Sequence, residues 1–415
     1  MTELNRRLRE ISTCLAMLGL AAGAPAQGQF SVVLNIPPDT APASVGAGTQ
    51  LNLSDGGWVG QGFQAEGGSE VNVLGGLVGE DVQILGDSTL NISGGSVGDF
   101  LYAGALGDDG GDVSVNISGG TIGTHFSTGR PGSVDLSVDV NMSGGSIGRF
   151  FAAFGGSTVN VNGGEIGAHA EANSGSVVNL SGGSIGGNFD AWDGSAVNIS
   201  DGSVGIDFNA NSGSMVHISG GSIEAGFDAN EGSMVNISGG LIGDAFTARS
   251  NSQVKLFGTQ FILDGADVTS TLTLNTPAAI AERDVTLSGM LADGSPFSFD
   301  LHSSMVAGGD LFLPDATLQL TLVPPGNIDP IMLLPAGDFN SDGAVDGGDF
   351  LAWQRGQSPR PNSTEDLVLW ESRFGAAGAV GSQAGFVVVP EPCAWITALT
   401  AAAALRLAHR RRNLG

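Results

Sequence analysis

Residues 232–243 read "GSMVNISGGLIG", and near copies of this stretch recur through half of the chain. The copy at 182–200, "GGSIGGNFDAWDGSAVNIS", shows the pattern most fully. Val197 and Ile199 flank Asn198, and Phe189 and Ala191 flank Asp190. Such alternation is the period of a strand with one buried face. Gly-Gly and Gly-Ser pairs interrupt it too often for a helix, and they supply the positive φ that tight corners require. Each unit reads as three short strands joined by turns.

Aligned on Val-Gly or Ile-Gly, the copies fall at Val59, Val78, Val97, Ile122, Ile147, Ile166, Ile185, Val204, Ile223 and Ile242. The spacings are 19, 19, 25 and 25, then 19 five times, and Glu224 once replaces the glycine. A period near 20 residues marks a solenoid. Its columns are visible in the sequence. Phe63, Phe126, Phe151, Phe189, Phe208, Phe227 and Phe246 share one position, filled elsewhere by Val82, Leu101 and Ala170. Alanine recurs two residues later, and a small residue beside a large one suits a narrow interior. Asn72, Asn91, Asn116, Asn141, Asn160, Asn179, Asn198 and Asn236 form an amide column broken by His217. The expected fold is all-β: a single-stranded β-solenoid, taken as a right-handed β-helix with ~19-residue coils. One coil buries too few apolar groups to offset the cost of ordering its backbone. Stacking on neighbours reverses that balance, which is why the unit is copied.

Composition agrees. The 415 residues include 68 glycines without a collagen triplet, and the hydrophobic fraction of 41% argues against disorder. The net charge is −27. That acidity speaks against nucleic acid as a partner, since phosphate binding needs clustered Lys and Arg, and it favours calcium as counter-ion. The two cysteines, Cys14 and Cys393, lie near the ends, so no disulfide framework is expected for the body.

The ends read as addresses. Residues 1–26 place Arg6, Arg7 and Arg9 before a short apolar run and Ala24-Pro25-Ala26, the layout of a signal peptide for signal peptidase; the rival reading is a buried helix. Residues 389–415 combine Pro390-Glu391-Pro392, an apolar run and the basic cluster Arg410, Arg411, Arg412. This resembles the PEP-CTERM sorting signal of Gram-negative bacteria. The resemblance implies removal by an exosortase, transient or lasting membrane contact, and residence in the cell envelope or extracellular matrix. The copy departs from that pattern in being short and Ala-rich, with Arg406 in its apolar run. Between the ends, 27–258 is the solenoid and 259–335 reads as a β-rich cap or a separate functional domain. Residues 336–376 form a small helical module and 377–388 a linker.

That module holds "DFNSDGAVDGGD" at 338–349. Asp338, Asn340, Asp342 and Asp346 occupy positions 1, 3, 5 and 9 of a 12-residue loop, with the Ala344 carbonyl at 7 and Asp349 closing it. Gly343 sits where the loop must turn sharply. Hard oxygens at alternate positions suit one Ca²⁺, as in an EF-hand. With "FLAWQRG" behind it and "LVLWESRFG" at 367–375, the module resembles a type I dockerin. The resemblance implies docking onto a cohesin-like envelope protein, although the family's second calcium loop is absent.

One outward row offers chemistry. Asp190, Asn209 and Asp228 follow one another in a column, with Trp192 and Asp193 nearby, a set that can grip a sugar. Acids two coils apart would stand near ~10 Å at the strand spacing, slightly beyond the range for paired carboxylates in glycoside hydrolysis. The expected function is therefore a non-enzymatic structural or adhesive rod facing extracellular polysaccharide. The alternatives are a carbohydrate-active or carbohydrate-binding β-helix of the pectin-lyase kind, and an ice-binding surface built on the Asn column.

Overall fold

Each repeat lays its alternating stretch in parallel on the same stretch of the next. Val178 stands on Val197, Asn179 on Asn198 and Leu180 on Ile199, and the register continues to Val216, His217 and Ile218. In this computed structural model, residues 30–105, 111–129 and 137–324 are described, with Val345, 347–354, Leu367, Trp370, Glu371 and Phe374. They form a parallel β-solenoid of about 11 turns. Its walls are a long sheet of 21 strands and a short one of 12.

Early coils show three separate strands, such as Glu70–Val73, Leu77–Val78 and Gln83–Leu85. From Val138 onward the first two merge into single strands, Val138–Ile147, Ser157–Ile166 and Val177–Ile185. The corner survives as a register shift at Ser143, Asn162 and Ser181. Its glycine pair has two separate causes. Gly183 adopts φ +72°, and a Cβ on Gly182 would stand 2.5 Å from the Asn162 carbonyl oxygen of the coil beneath. One glycine supplies the left-handed backbone, the other permits the close approach.

The interior follows the two predicted columns. The seven phenylalanines are all at most 2% exposed, and the alanines beside them are buried. Phe189, Phe208 and Phe227 stack face to face, with centroids 5.0 and 4.8 Å apart.

Both ends are themselves rungs. Val32–Ile36 pairs with Thr49–Leu53, and Ser44–Val45 with Gln64–Ala65. Pro37, Pro38 and Pro42 lie in the connection between them. At the far end the chain leaves the stack and then returns. Leu311–Phe312 and Thr317–Leu322 add in parallel above Thr247–Ala248 and the first half of Gln253–Leu263. The excursion between them holds the antiparallel hairpin Thr286–Leu291 and Pro296–Asp300. Phe299 of the hairpin seats on Phe246, and Phe297 meets Phe261, closing the apolar interior. Arg283 binds the excursion to the last rung by donating to the carbonyls of Ile280, Phe312 and Ala316.

Candidate functional site: the outward columns

The asparagines form one hydrogen-bonded ladder. Eight times, Nδ2 donates to Oδ1 of the preceding coil at 2.8–3.2 Å, from Asn52 onto Asn35 up to Asn198 onto Asn179. Asn35 and Asn52 belong to the column although their spacing departs from 19 residues. At the upper end, outward-facing Asn198, His217 and Asn236 are buried. Asn236 donates to His217 Nδ1 at 3.1 Å, which places the imidazole proton on Nε2. Among the described residues, neither that Nε2 nor Asn198 Oδ1 has a hydrogen-bond partner. Burial, with a lesser contribution from Lys255, lowers the His217 pKa to about 3. Lys255 stands next in the column, and desolvation lowers its pKa as well.

The row expected to meet sugars lies on the short sheet. Asp190, Asn209 and Asp228 occupy successive register positions with their side chains half-buried. Asn209 donates to Asp190 Oδ1 at 2.9 Å, and Arg249 pairs with Asp228 at 2.8 Å. The two carboxylates are thus separated by an amide and individually engaged. Trp192 is exposed at the adjoining corner, while Asp193 Oδ1 is closed off from solvent.

The corner on the other side of the short sheet carries a row of aromatic rings. Phe100, His125, Phe150 and His169 stack as one ridge, with successive centroids 4.9, 4.8 and 5.2 Å apart and rings tilted by 15–21°. Phe100, His125 and Phe150 are exposed, and His169 is half-buried. All four residues have φ near +61° to +63°. Other coils fill this corner with Gly62, Asp81, Asn188, Asp207, Gly226 and Ala245, all but the last of types that accept the left-handed region. For bulkier side chains that backbone costs roughly 1–2 kcal/mol each, and a stacked pair offsets about 0.5–1.5. Histidine tolerates this region better than phenylalanine, so the cost falls on Phe100 and Phe150, and the three stacked contacts are of the same order. The Arg149 guanidinium lies 5.3 Å from the Phe150 ring centroid.

Of the calcium loop, Asp338, Asn340, Asp342, Ala344 and Asp346 lie outside the described residues. Val345 and Asp349 are fully buried, and Asp349 sits in the first turn of the helix Gly347–Gln354. Phe350 stacks on Trp353 and meets Trp370, which packs on Phe374, so aromatics of both dockerin-like stretches cluster. Among the described residues, no three His, Cys, Asp or Glu side chains converge on a metal-sized site. No helix among them is long and apolar enough to cross a membrane. Pro390, Glu391, Pro392 and Arg410–Arg412 lie outside the described residues. No family model, curated protein or solved structure matches the chain. The dockerin and PEP-CTERM resemblances therefore rest on their motifs alone.

Proposed function

We propose that the protein is an exported, non-enzymatic structural or adhesive rod of a Gram-negative cell envelope or extracellular matrix. The observation that carries this reading is the outward face of the solenoid. Its polar side chains are spent on their equivalents in neighbouring coils, as in the Asn ladder and the Asn209–Asp190 bond, instead of converging on a point. Such a surface suits a long repetitive partner, an extracellular polysaccharide, better than a single reacting bond. The loop 338–349 would hold Ca²⁺ through Asp338, Asn340, Asp342, the Ala344 carbonyl, Asp346 and Asp349. The ion would supply the charge that lets acidic side chains fold together for attachment to an envelope protein. Signal peptidase and an exosortase would process the two ends.

Binding of the purified protein to an array of soluble glycans, with and without chelator, tests the reading. Retention of at least one polysaccharide class is expected, and no retention at all overturns it. Release of reducing sugar that Asp190→Ala abolishes would establish the rival, a carbohydrate-active enzyme. Asp338→Ala with Asp342→Ala should leave the circular dichroism of the rod intact and abolish calorimetric Ca²⁺ binding. Unchanged binding removes the loop from the account.

A further inference from the structure

We propose that the Phe100–His125–Phe150–His169 ridge, with the sheet strip beside it, is a binding site for a single chain of neutral polysaccharide. The proposal rests on the reading of the rod as polysaccharide-facing, and it assigns a place and a chemistry to that contact.

The first argument is strain. Four consecutive coils put a ring where the same fold elsewhere uses Gly, Asn, Asp or Ala, and the backbone cost falls on Phe100 and Phe150. Strain kept at two positions of one ridge points to use. A second argument is charge. On a chain of net charge −27, the described residues of this window include few carboxylates. The next outward column, two residues along, reads Tyr102, Ser127 and Ala152 before Glu171 and Asp190 restore the acidic character. Asp99, beside Phe100, is held by the backbone N–H of Thr124 at 2.6 Å. An anionic polymer would be repelled by the rod as a whole, whereas an uncharged one would not.

Size then selects among uncharged partners. From the centroid spacings the ridge is about 15 Å long and one ring wide. A stable protein interface needs roughly 800 Å² per partner, far more than this ridge offers. A sugar chain is one ring wide and repeats on the same scale as the coils. Its hydroxyl oxygens would meet the ring edges, which carry the positive side of the aromatic quadrupole and are what the stacked ridge presents outward. Polar contacts are available at the same edge. His125 Nδ1 lies 3.0 Å from Thr124 Oγ1, which leaves Nε2 for a ligand. Arg149, at Phe150, makes no ion pair with a described residue. The two coils beginning at Val97 and Ile122, which carry Phe100 and His125, are also the two that break the 19-residue period.

The column itself supplies the test variant. Asn188 occupies the next position at φ +57°, so Phe100→Asn, His125→Asn, Phe150→Asn and His169→Asn together replace the ridge with a residue the corner already accepts. Affinity electrophoresis of the full chain in a soluble neutral β-glucan, a galactomannan and a polyuronate is the measurement. Wild type should be retarded by at least one neutral polymer, and the fourfold variant at least tenfold less, with its melting temperature within a few degrees. Equal retardation of the two proteins, or retardation of wild type by the polyuronate alone, overturns the ridge while leaving the polysaccharide reading standing. Retardation by nothing overturns both. Should the variant fold poorly, diethylpyrocarbonate labelling of wild type followed by mass spectrometry decides instead. The neutral polymer should protect His125 and His169 at least threefold, with half-buried His302, away from the ridge, as the reference, and undiminished labelling sinks the proposal.

Discussion

The coils around Val82 and Leu101 and those around Phe208 and Phe227 share one backbone path and fill it differently. In the later coils the phenylalanine column is continuous, with Phe208 parallel to both neighbours within 10°. In the earlier ones Val82 and Leu101 replace the ring, and a void of about 10 Å³ opens beside Phe63, Val71 and Ile84. That space is at the lower limit for one water and its walls are apolar, so it stays dry. The comparison shows that the path is set by the corners and the ladder, whereas the filling is a local matter for each coil. A repeat architecture tolerates this because each coil contacts only its neighbours.

Four substitutions break or sharpen that contrast. Phe208→Ala removes the middle of the stack and should cost about 3–5 kcal/mol, read as a fall in the urea midpoint. Val82→Ala, in the loosely filled coils, should cost about half as much. Equal losses would mean that the two halves are packed alike after all. Gly182→Ala attacks the shared path instead of the filling. With a Cβ forced toward the Asn162 carbonyl, it should destabilise by about 1–3 kcal/mol, and Gly94→Ala, whose Cβ would meet the Leu74 carbonyl oxygen at 2.5 Å, should do the same in the early coils. A large difference between the two glycines would show that the corners are not equivalent.

The smallest effect at neutral pH concerns the ladder, open to solvent along its lower coils and buried at His217. His217→Asn restores the amide column and should stabilise by about 1 kcal/mol. Its pH dependence is more telling. Folding keeps the imidazole neutral, with a pKa near 3 against 6.5 for the exposed ring. The unfolded chain therefore binds the extra proton between those values. Stability is complete above pH 6.5 and falls toward pH 3 with a slope approaching about 1.4 kcal/mol per pH unit. The asparagine variant should lose that part of the acid sensitivity, as melting curves at pH 7 and pH 4.5 would reveal.

What the sequence made legible follows from what is periodic in it. The Phe and Ala columns, the glycine corners and the amide ladder repeat at a fixed interval, so alignment alone placed them. Asn35 and Asn52 escaped because the first rungs are 17 and 20 residues apart. The last rung, Leu311–Phe312 and Thr317–Leu322, escaped because an excursion of some fifty residues separates it from the stack it rejoins. The ridge was half legible. His125 and His169 shared a column on paper, but only the left-handed corner brings Phe100 and Phe150 between and beside them. The row Asp190, Asn209 and Asp228 stands in register as aligned, yet the engagement of Asp228 with Arg249 depends on a contact 21 residues away that no alternation pattern encodes.

The amide ladder has one more consequence. Every bond in it points the same way, so among the described residues the run of amides starts with the N–H₂ of Asn35 and ends with the carbonyl oxygen of Asn198, neither passed on to a further amide. Aligned amides sum as peptide units do in a helix, giving the rod a positive foot and a negative head. The lysine at position 255 stands beyond that head, where a cation is electrostatically welcome. Copying one asparagine thus gives the molecule a polarity along its length, and lengthening the stack would lengthen that field with it.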